Sequence, residues 1–339
     1  MPEKILAIQF KSLGDAVMMI PALQAIRRHY PGCALHVLAP ESVGPLLQNE
    51  PSITRLWLIP RVRGRALFKQ SWPVIRALRA ERFDRSVDFG GNDRGAIMSL
   101  LCGARERLAP LYEKGFVGRR FCCTQYVPPL TRQDCHETTR LLDFLSPWGI
   151  QPPPESDINI RLHTSSEWDA AAAGKNLPDG AVICHIGSNM AKKEWPSGHW
   201  AAFHRMATTA GFKLIFTMGA NPREMALLQE LKNLVPEIIA LPPTNLATLL
   251  AVIKRASACI SNDTGPMHFA AGLGVPTIGL FGSTSPTRWR PVGAQHRVIQ
   301  RPKCTCDDAS HFCTSPRHCM AGISPEQVFA ALENILATT

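Results

Sequence analysis

Short apolar runs alternate with longer stretches of helical period along nearly the whole chain. Residues 4–10 form an apolar run that reads as a buried strand, and Lys11-Ser12-Leu13-Gly14-Asp15 is a tight turn after it. Residues 16–30 carry Val17, Ile20, Leu23 and Ile26 at helical spacing, with Pro21 placed to bend the helix near its start. Strands follow at 34–39, 55–59, 85–89 and 106–109, and helices at 41–49, 73–81, 95–102 and 136–149. Proline at 152, 153 and 154 interrupts the alternation, so the segment from 151 to about 177 reads as a linker. The alternation then restarts, with strands at 181–186, 213–218, 238–241, 256–260 and 276–281. Its helices are expected at 197–210, with Ser197 as cap, and at 221–234, 246–255 and 324–336. The last of these opens on Ser324-Pro325-Glu326-Gln327, a capping-box signature. Strand–helix alternation on both sides of a linker predicts an α/β protein made of two similar parallel-sheet halves. A small-molecule pocket is expected in a cleft between them.

Composition narrows the partners. The chain has 339 residues, enough for two cores, and a formal net charge of +10, which favours an anionic partner or simply solubility. The residues after Met1 lead straight into a strand rather than a signal sequence, and no apolar run approaches the ~20 residues that span a bilayer. A cytoplasmic protein with reduced cysteines is the expectation. Cys304-x-Cys306, with Cys313 and Cys319 beyond, lacks the paired spacing of structural zinc, so no metal is assigned and these cysteines are read as packed thiols. Neither GxGxxG nor GxxxxGK[ST] occurs, which removes support for hydride transfer and P-loop chemistry.

One stretch organises the second half: Ser261-Asn262-Asp263-Thr264-Gly265-Pro266-Met267-His268, followed by an apolar run to Phe281-Gly282-Ser283-Thr284. It reads as strand, polar turn, helix and strand, with Pro266 suited to the first helical turn. The helix start offers the N–H groups of Thr264, Gly265 and Met267 to an anion such as a phosphate. Asp263 beside it suits sugar hydroxyls better than phosphate. His268 is expected to pack on the short helix.

Four turns in order resemble one family, the glycosyltransferases of family 9, of the ADP-heptose:lipopolysaccharide heptosyltransferase type. They are Phe10-Lys11-Ser12-Leu13-Gly14-Asp15 with Ile20-Pro21-Ala22-Leu23; Val87-Asp88-Phe89-Gly90-Gly91-Asn92; Ala191-Lys192-Lys193-Glu194-Trp195-Pro196 with His199-Trp200; and the stretch around Asp263. The resemblance implies the GT-B architecture, two Rossmann-like domains facing a central cleft. The domains would be 1–165 for the acceptor and 166–323 for the nucleotide sugar, with a C-terminal helix at 324–339 packing back toward the first. It implies inverting, metal-independent transfer of heptose from ADP-heptose to the inner core of lipopolysaccharide. The enzyme would be a monomer without cofactor or nucleic acid, working at the cytoplasmic face of the inner membrane.

The same resemblance distributes roles. Asp15 becomes the general base, where the residues alone suggest a helix cap. Lys193 becomes the cation that neutralises the departing diphosphate. Ser188, Asn189, Glu224, Asp263, Thr264, Gly265 and Met267 would hold the donor, with residues 244–246 bordering the adenine. Lys11, Arg61, Arg63, Arg65, Lys69 and Arg120 would grip the anionic, lipid-linked acceptor, joined by Arg119, with Phe68 and Trp72 touching lipid or sugar. Lys11 departs from the family pattern, whose basic residue stands earlier in the turn, near Gln9. Alternatives are a GT-B transferase using another nucleotide sugar, a nucleotide-sugar epimerase, and a basic nucleic-acid-binding protein.

Overall fold

The computed structural model describes residues 3–60, 68–111, 115–128, 135–175, 177–301 and 319–337. The described chain divides into two units, Met1–His163 and Thr164–Thr339.

The first unit is built on six parallel strands among the described residues: β1 Lys4–Ile8, β2 Ala34–Pro40, β3 Arg55–Ile59, β4 Arg85–Asp88, β5 Glu106–Pro110 and β6 Gln125–Val127. Their order is β3-β2-β1-β4-β5-β6. The helices are α1 Leu13–Met18, α2 Ile20–His29, α3 Gly44–Leu47, α4 Phe68–Ala80, α5 Asp93–Cys102 and α6 Glu137–Asp143. One face of the sheet buries Leu6, Ile8, Leu38 and Trp57 against Ile75 and Leu78 of α4 and Met98 of α5. The helix read over 16–30 is two helices that meet at Met19, immediately before Ile20-Pro21, where proline interrupts the backbone ladder. The helix read over 136–149 stops at Asp143 and continues only as a 3₁₀ turn, Ser146–Trp148, because Pro147 cannot donate within an α-helix.

The second unit repeats the plan with β7 Val182–His185, β8 Leu214–Thr217, β9 Ile239–Ala240, β10 Ala258–Asn262, β11 Thr277–Phe281 and β12 Arg297–Gln300. These too are all parallel among the described residues, in the order β12-β11-β10-β7-β8-β9. Its helices are α7 Ser166–Ala173, α8 Ser197–Thr209, α9 Pro222–Leu234, α10 Leu246–Lys254, α11 Gly265–Gly272, α12 Pro286–Trp289 and α13 Pro325–Ala337. Numbered within each unit, both sheets read 3-2-1-4-5-6, the doubly wound Rossmann order.

Two details revise the sequence reading of this half. The stretch taken as linker contains α7, capped by Ser165 on the Trp168 N–H and tied down by a Lys254–Asp169 ion pair. The cap of α8 is Pro196 rather than Ser197, whose hydroxyl donates to Glu230 instead. Val328, Leu332 and Ile335 of α13 belong to the core that holds Trp195, Trp200, Phe203 and Phe216. The capping box of α13 forms as its sequence indicates. Gln327 N–H donates to the Ser324 hydroxyl at 3.2 Å, and Ser324 N–H to Gln327 Oε1 at 2.9 Å.

Candidate active site

In a doubly wound sheet the strand order reverses beside the first strand, and the loops on either side diverge there. Ligands collect at the carboxyl ends of the strands at that switch point. Here the switch points are β1/β4 and β7/β10.

In the first unit Ile8 stands opposite Asp88, so the turns after β1 and β4 emerge side by side. The β1 turn is organised by a capping box. Ser12 is the N-cap of α1, and Asp15 at the third helical position accepts from Ser12 N–H at 3.1 Å and the Ser12 hydroxyl at 2.5 Å. Asp15 is thus the reciprocal partner of the cap rather than the cap itself. Its Oδ2 takes both bonds, so its other oxygen lies outside the box. Gln9, buried in this turn, accepts from Lys11 N–H at 3.1 Å.

The β4 turn depends on a group to which sequence reasoning gave no role. Asp88 is fully buried, and its Oδ1 accepts from Gly90 N–H at 3.0 Å and Gly91 N–H at 3.1 Å. Gly91 takes φ 58°, where a side chain is strained, and a Cβ on Gly95 would lie 2.4 Å from both carboxylate oxygens. Asn92 then caps α5 on the Gly95 N–H at 2.9 Å. Burial pushes the Asp88 carboxyl up to about 6, against the pull of the two glycine N–H groups and the charges of Arg119 and Lys11. The sequence signal was an acid closing an apolar run before a glycine pair.

A raised carboxyl has a definite consequence for stability. At a pH below its ordinary value of 3.8, Asp88 is protonated in both the folded and unfolded states and nothing is lost. Between there and about 6 the unfolded chain releases its proton while the folded protein keeps it, so stability falls as pH rises. Above that window the whole penalty, on the order of 3 kcal/mol, is in place. Asp88→Asn keeps an oxygen for Gly90 and Gly91 and removes the titration. Its unfolding free energy, relative to the parent, is expected to improve by about that amount between pH 4 and pH 7. Urea melts across the range measure it, and a pH-independent difference would contradict it.

Basic groups surround this turn. Arg119 donates to Gly91 O and pairs with Asp93 at 3.4 Å. Arg94 stacks on Phe10 at 4.6 Å and donates to Pro60 O at 3.1 Å. Arg120 is exposed. Arg61, Arg63 and Arg65 lie outside the described residues, as does the side chain of Lys69, whose backbone is in α4.

In the second unit His185 stands opposite Ser261, which brings the turns after β7 and β10 together. Buried Asn262 joins them. Its amide donates to Ile186 O at 2.7 Å, and its Oδ1 accepts from Trp195 N–H at 3.1 Å. Trp195 in turn donates its indole N–H to Ile323 O at 2.9 Å and packs edge-on to Trp200. This frame presents Lys193, whose Nζ lies 2.7 Å from Asp263 Oδ2 in a largely buried ion pair. Two residues separated by 70 positions are therefore one electrostatic unit, which the sequence did not reveal.

The remaining residues named from sequence are distributed as follows. Ser188 is buried and accepts from Met190 N–H at 3.3 Å, while Asn189 is exposed. Arg223 donates to Ser188 O and pairs with Glu194 at 3.0 Å. Burial raises the Glu194 carboxyl, and Arg223 pulls it back. Glu224 is buried and accepts from Gly219 N–H and the Asn221 amide. A Cβ on Gly187 would lie 1.9 Å from its Oε2, so the β7 turn passes directly over it. Thr264 is the N-cap of α11 and Gly265 its first residue, both partly exposed. The expectation of an available Met267 N–H is corrected, because it donates to Thr264 O at 3.1 Å and the side chain is buried in the core. Cys304, Cys306 and Cys313 lie outside the described residues, and Cys319 is buried. Among the described residues no cluster of three His, Cys, Asp or Glu could hold a metal, and no helix is long and apolar enough to cross a membrane.

The second unit thus gathers a cation, the acid paired with it and the first residues of α11 at one switch point, and the first unit holds a buried carboxylate near basic groups at its own. The model of Glycosyltransferase family 9 (heptosyltransferase) matches residues 71–314, more than half of the chain. A lipopolysaccharide heptosyltransferase 3 from Escherichia coli is 26% identical over 295 residues, covering 82% of this chain and 83% of its own. Among solved structures, a family 9 glycosyl transferase from Veillonella parvula superposes with a TM-score of 0.85 at 23% identity, covering 99% of this chain and 98% of that one. The E. coli ADP-heptose lps heptosyltransferase II superposes at 0.80 with 20% identity, covering 99% of both.

Proposed function

Because the chain belongs to glycosyltransferase family 9, we propose that it transfers heptose from ADP-heptose to the inner core of lipopolysaccharide, with inversion and without a metal. The observation that carries the reading is the Lys193–Asp263 pair at the β7/β10 switch point, next to the start of α11. The printed names of the relatives supply the donor and the class of acceptor.

The second unit binds the donor. Thr264 and Gly265 at the start of α11, with Lys193, receive the diphosphate. Asp263 accepts from sugar hydroxyls, Ser188 and Asn189 from the β7 turn contact phosphate or sugar oxygens, and Glu224 lies toward the ribose. Before the donor arrives Asp263 holds Lys193 in place, so the cation is positioned before the leaving group needs it.

In the reaction the acceptor hydroxyl attacks the anomeric carbon. Its O–H bond breaks and the proton passes to the Asp15 carboxylate. The new carbon–oxygen bond forms on one face of the sugar while the bond to the diphosphate breaks on the other. ADP departs with its extra negative charge against Lys193. A single displacement inverts the anomeric centre and needs one carboxylate. Lys11, Arg120, Lys69 and the Arg61, Arg63 and Arg65 stretch grip the phosphate and carboxylate groups of the acceptor. On this reading the acceptor is lipid-linked and the enzyme works as a monomer at the cytoplasmic face of the inner membrane.

Donor choice is tested by ligand-induced stabilisation. ADP-heptose at a hundred times its dissociation constant is expected to raise the unfolding free energy by about 2.7 kcal/mol. A UDP-sugar at the same concentration is expected to do much less. Equal stabilisation by both, or by neither, would overturn the choice of donor.

A further inference from the structure

Exposed apolar side chains scattered singly are ordinary, but three within six residues on a fixed turn are not. Between β5 and β6, Phe116 is 39% exposed, Val117 fully exposed and Phe121 69% exposed. The turn that carries them is held at many points. Arg119 N–H donates to Phe116 O at 3.2 Å, Phe121 N–H to Gly118 O at 2.9 Å and Cys122 N–H to Arg119 O at 3.0 Å. Gly118 takes φ 95° to let the chain reverse. The Tyr126 hydroxyl donates to Arg119 O at 3.0 Å, and the Arg119 guanidinium reaches Gly91 O and Asp93. On the inner side Cys122 and Cys123 pack with Ala96 and Ala109, and Tyr126 lies against them. The inward-facing apolar groups are thus satisfied, and Phe116, Val117 and Phe121 stay outside on a braced edge. Arg120 stands exposed among them, its guanidinium 5.0 Å from the centre of the Phe121 ring.

An apolar wedge interleaved with a cation matches the interface of an anionic bilayer. There rings and branched side chains settle at the headgroup boundary, and basic residues are attracted to the anionic headgroups. The Arg119 anchor fixes the wedge to Gly91, in the turn beside Lys11 and Asp15. The overall excess of ten positive charges has the right sign for such a surface. We infer that the 115–121 turn is the membrane-docking element of this enzyme, Phe116, Val117 and Phe121 inserting at the headgroup level of an anionic bilayer. It thereby brings the carboxyl end of the first sheet to the surface that presents the acceptor. This deepens the proposed function and rests on its reading of the acceptor as lipid-linked.

The test has a binding arm that needs no catalysis. The full-length protein is sedimented with vesicles of phosphatidylethanolamine and phosphatidylglycerol, and with vesicles of phosphatidylcholine alone. The parent is expected to partition onto the anionic vesicles. Phe116→Ser/Val117→Ser/Phe121→Ser is expected to lose ~tenfold or more of that partitioning with an unchanged melting temperature. Val117→Asp, altered at a fully exposed position, serves as a second variant that gives up no buried side chain and is expected to lose binding in the same direction. In the activity arm the triple variant is expected to match the parent on a deacylated, water-soluble acceptor and to fall behind on the acceptor embedded in vesicles. Vesicle binding equal to the parent's in both variants would overturn the inference. So would gel filtration showing a parental dimer that the triple variant splits, since the turn would then meet a second copy of this chain. A parent that binds vesicles but transfers to neither acceptor would sink the proposed reaction and leave the binding result standing.

Discussion

Asp15→Asn is expected to lower turnover by about 10²–10⁴-fold, the usual contribution of a positioned general base, while leaving the dissociation constant for ADP-heptose unchanged. The competing explanation is structural, since Asp15 completes the capping box of α1. Magnitudes separate the two. Losing a cap costs about 1 kcal/mol of stability, and asparagine keeps an oxygen able to accept from Ser12. A well-folded enzyme that loses several powers of ten in rate has lost chemistry, not a helix end. Single-turnover rates, with donor affinity by calorimetry and a urea melt, give the three numbers needed. Turnover equal to the parent's would remove Asp15 from the mechanism.

Lys193→Ala is expected to lower kcat by about 10²–10³-fold, the scale on which a preorganised charge stabilises a developing anion. It has a second effect that Asp15→Asn lacks. Asp263 is only 6% exposed at its side chain and would be left without its partner. Removing one member of a buried pair costs up to about 3–5 kcal/mol, here less because Lys193 is partly open to water. Stability and rate should therefore fall together in the single variant and separate in the double one. Lys193→Ala/Asp263→Ala removes the stranded charge and is expected to recover stability without recovering rate. Urea melts and kcat on the parent, both single variants and the double variant close the cycle. A double variant as active as the parent would show that the pair is structural only.

The doubly wound plan was legible because its signals are local. The central strands β1, β7, β10 and β11 are buried on both faces and read as predominantly apolar runs. The edge strands β6 and β12 were missed for the complementary reason. Gln-Tyr-Val and Arg-Val-Ile-Gln are short and half-solvated, and only tertiary pairing with β5 and β11 makes them strands. Helix α7 was hidden by the proline run before it, although Glu-Trp-Asp followed by four alanines favours a helix strongly. The end of α6 was available in Pro147 and was overridden by the apolar period.

In the site, the sequence placed Ser188, Lys193, Asp263 and Thr264 on polar turns, and the strand order gathers those turns at one switch point. What it withheld is pairing at a distance. Nothing along the chain says that Asn262 ties the β7 turn to Trp195, or that Lys193 meets Asp263. Met267 shows the same limit in reverse. Its position near a helix start suggested an available N–H, but a turn bond to Thr264 uses it.

Heptose transfer is measured by incubating the enzyme with ADP-heptose and a panel of progressively truncated inner-core acceptors, following both products by mass spectrometry. One acceptor is expected to gain a single heptose while one ADP is released per transfer, with no metal added. Release of ADP without growth of any acceptor, or conversion of ADP-heptose to an isomer, would contradict it.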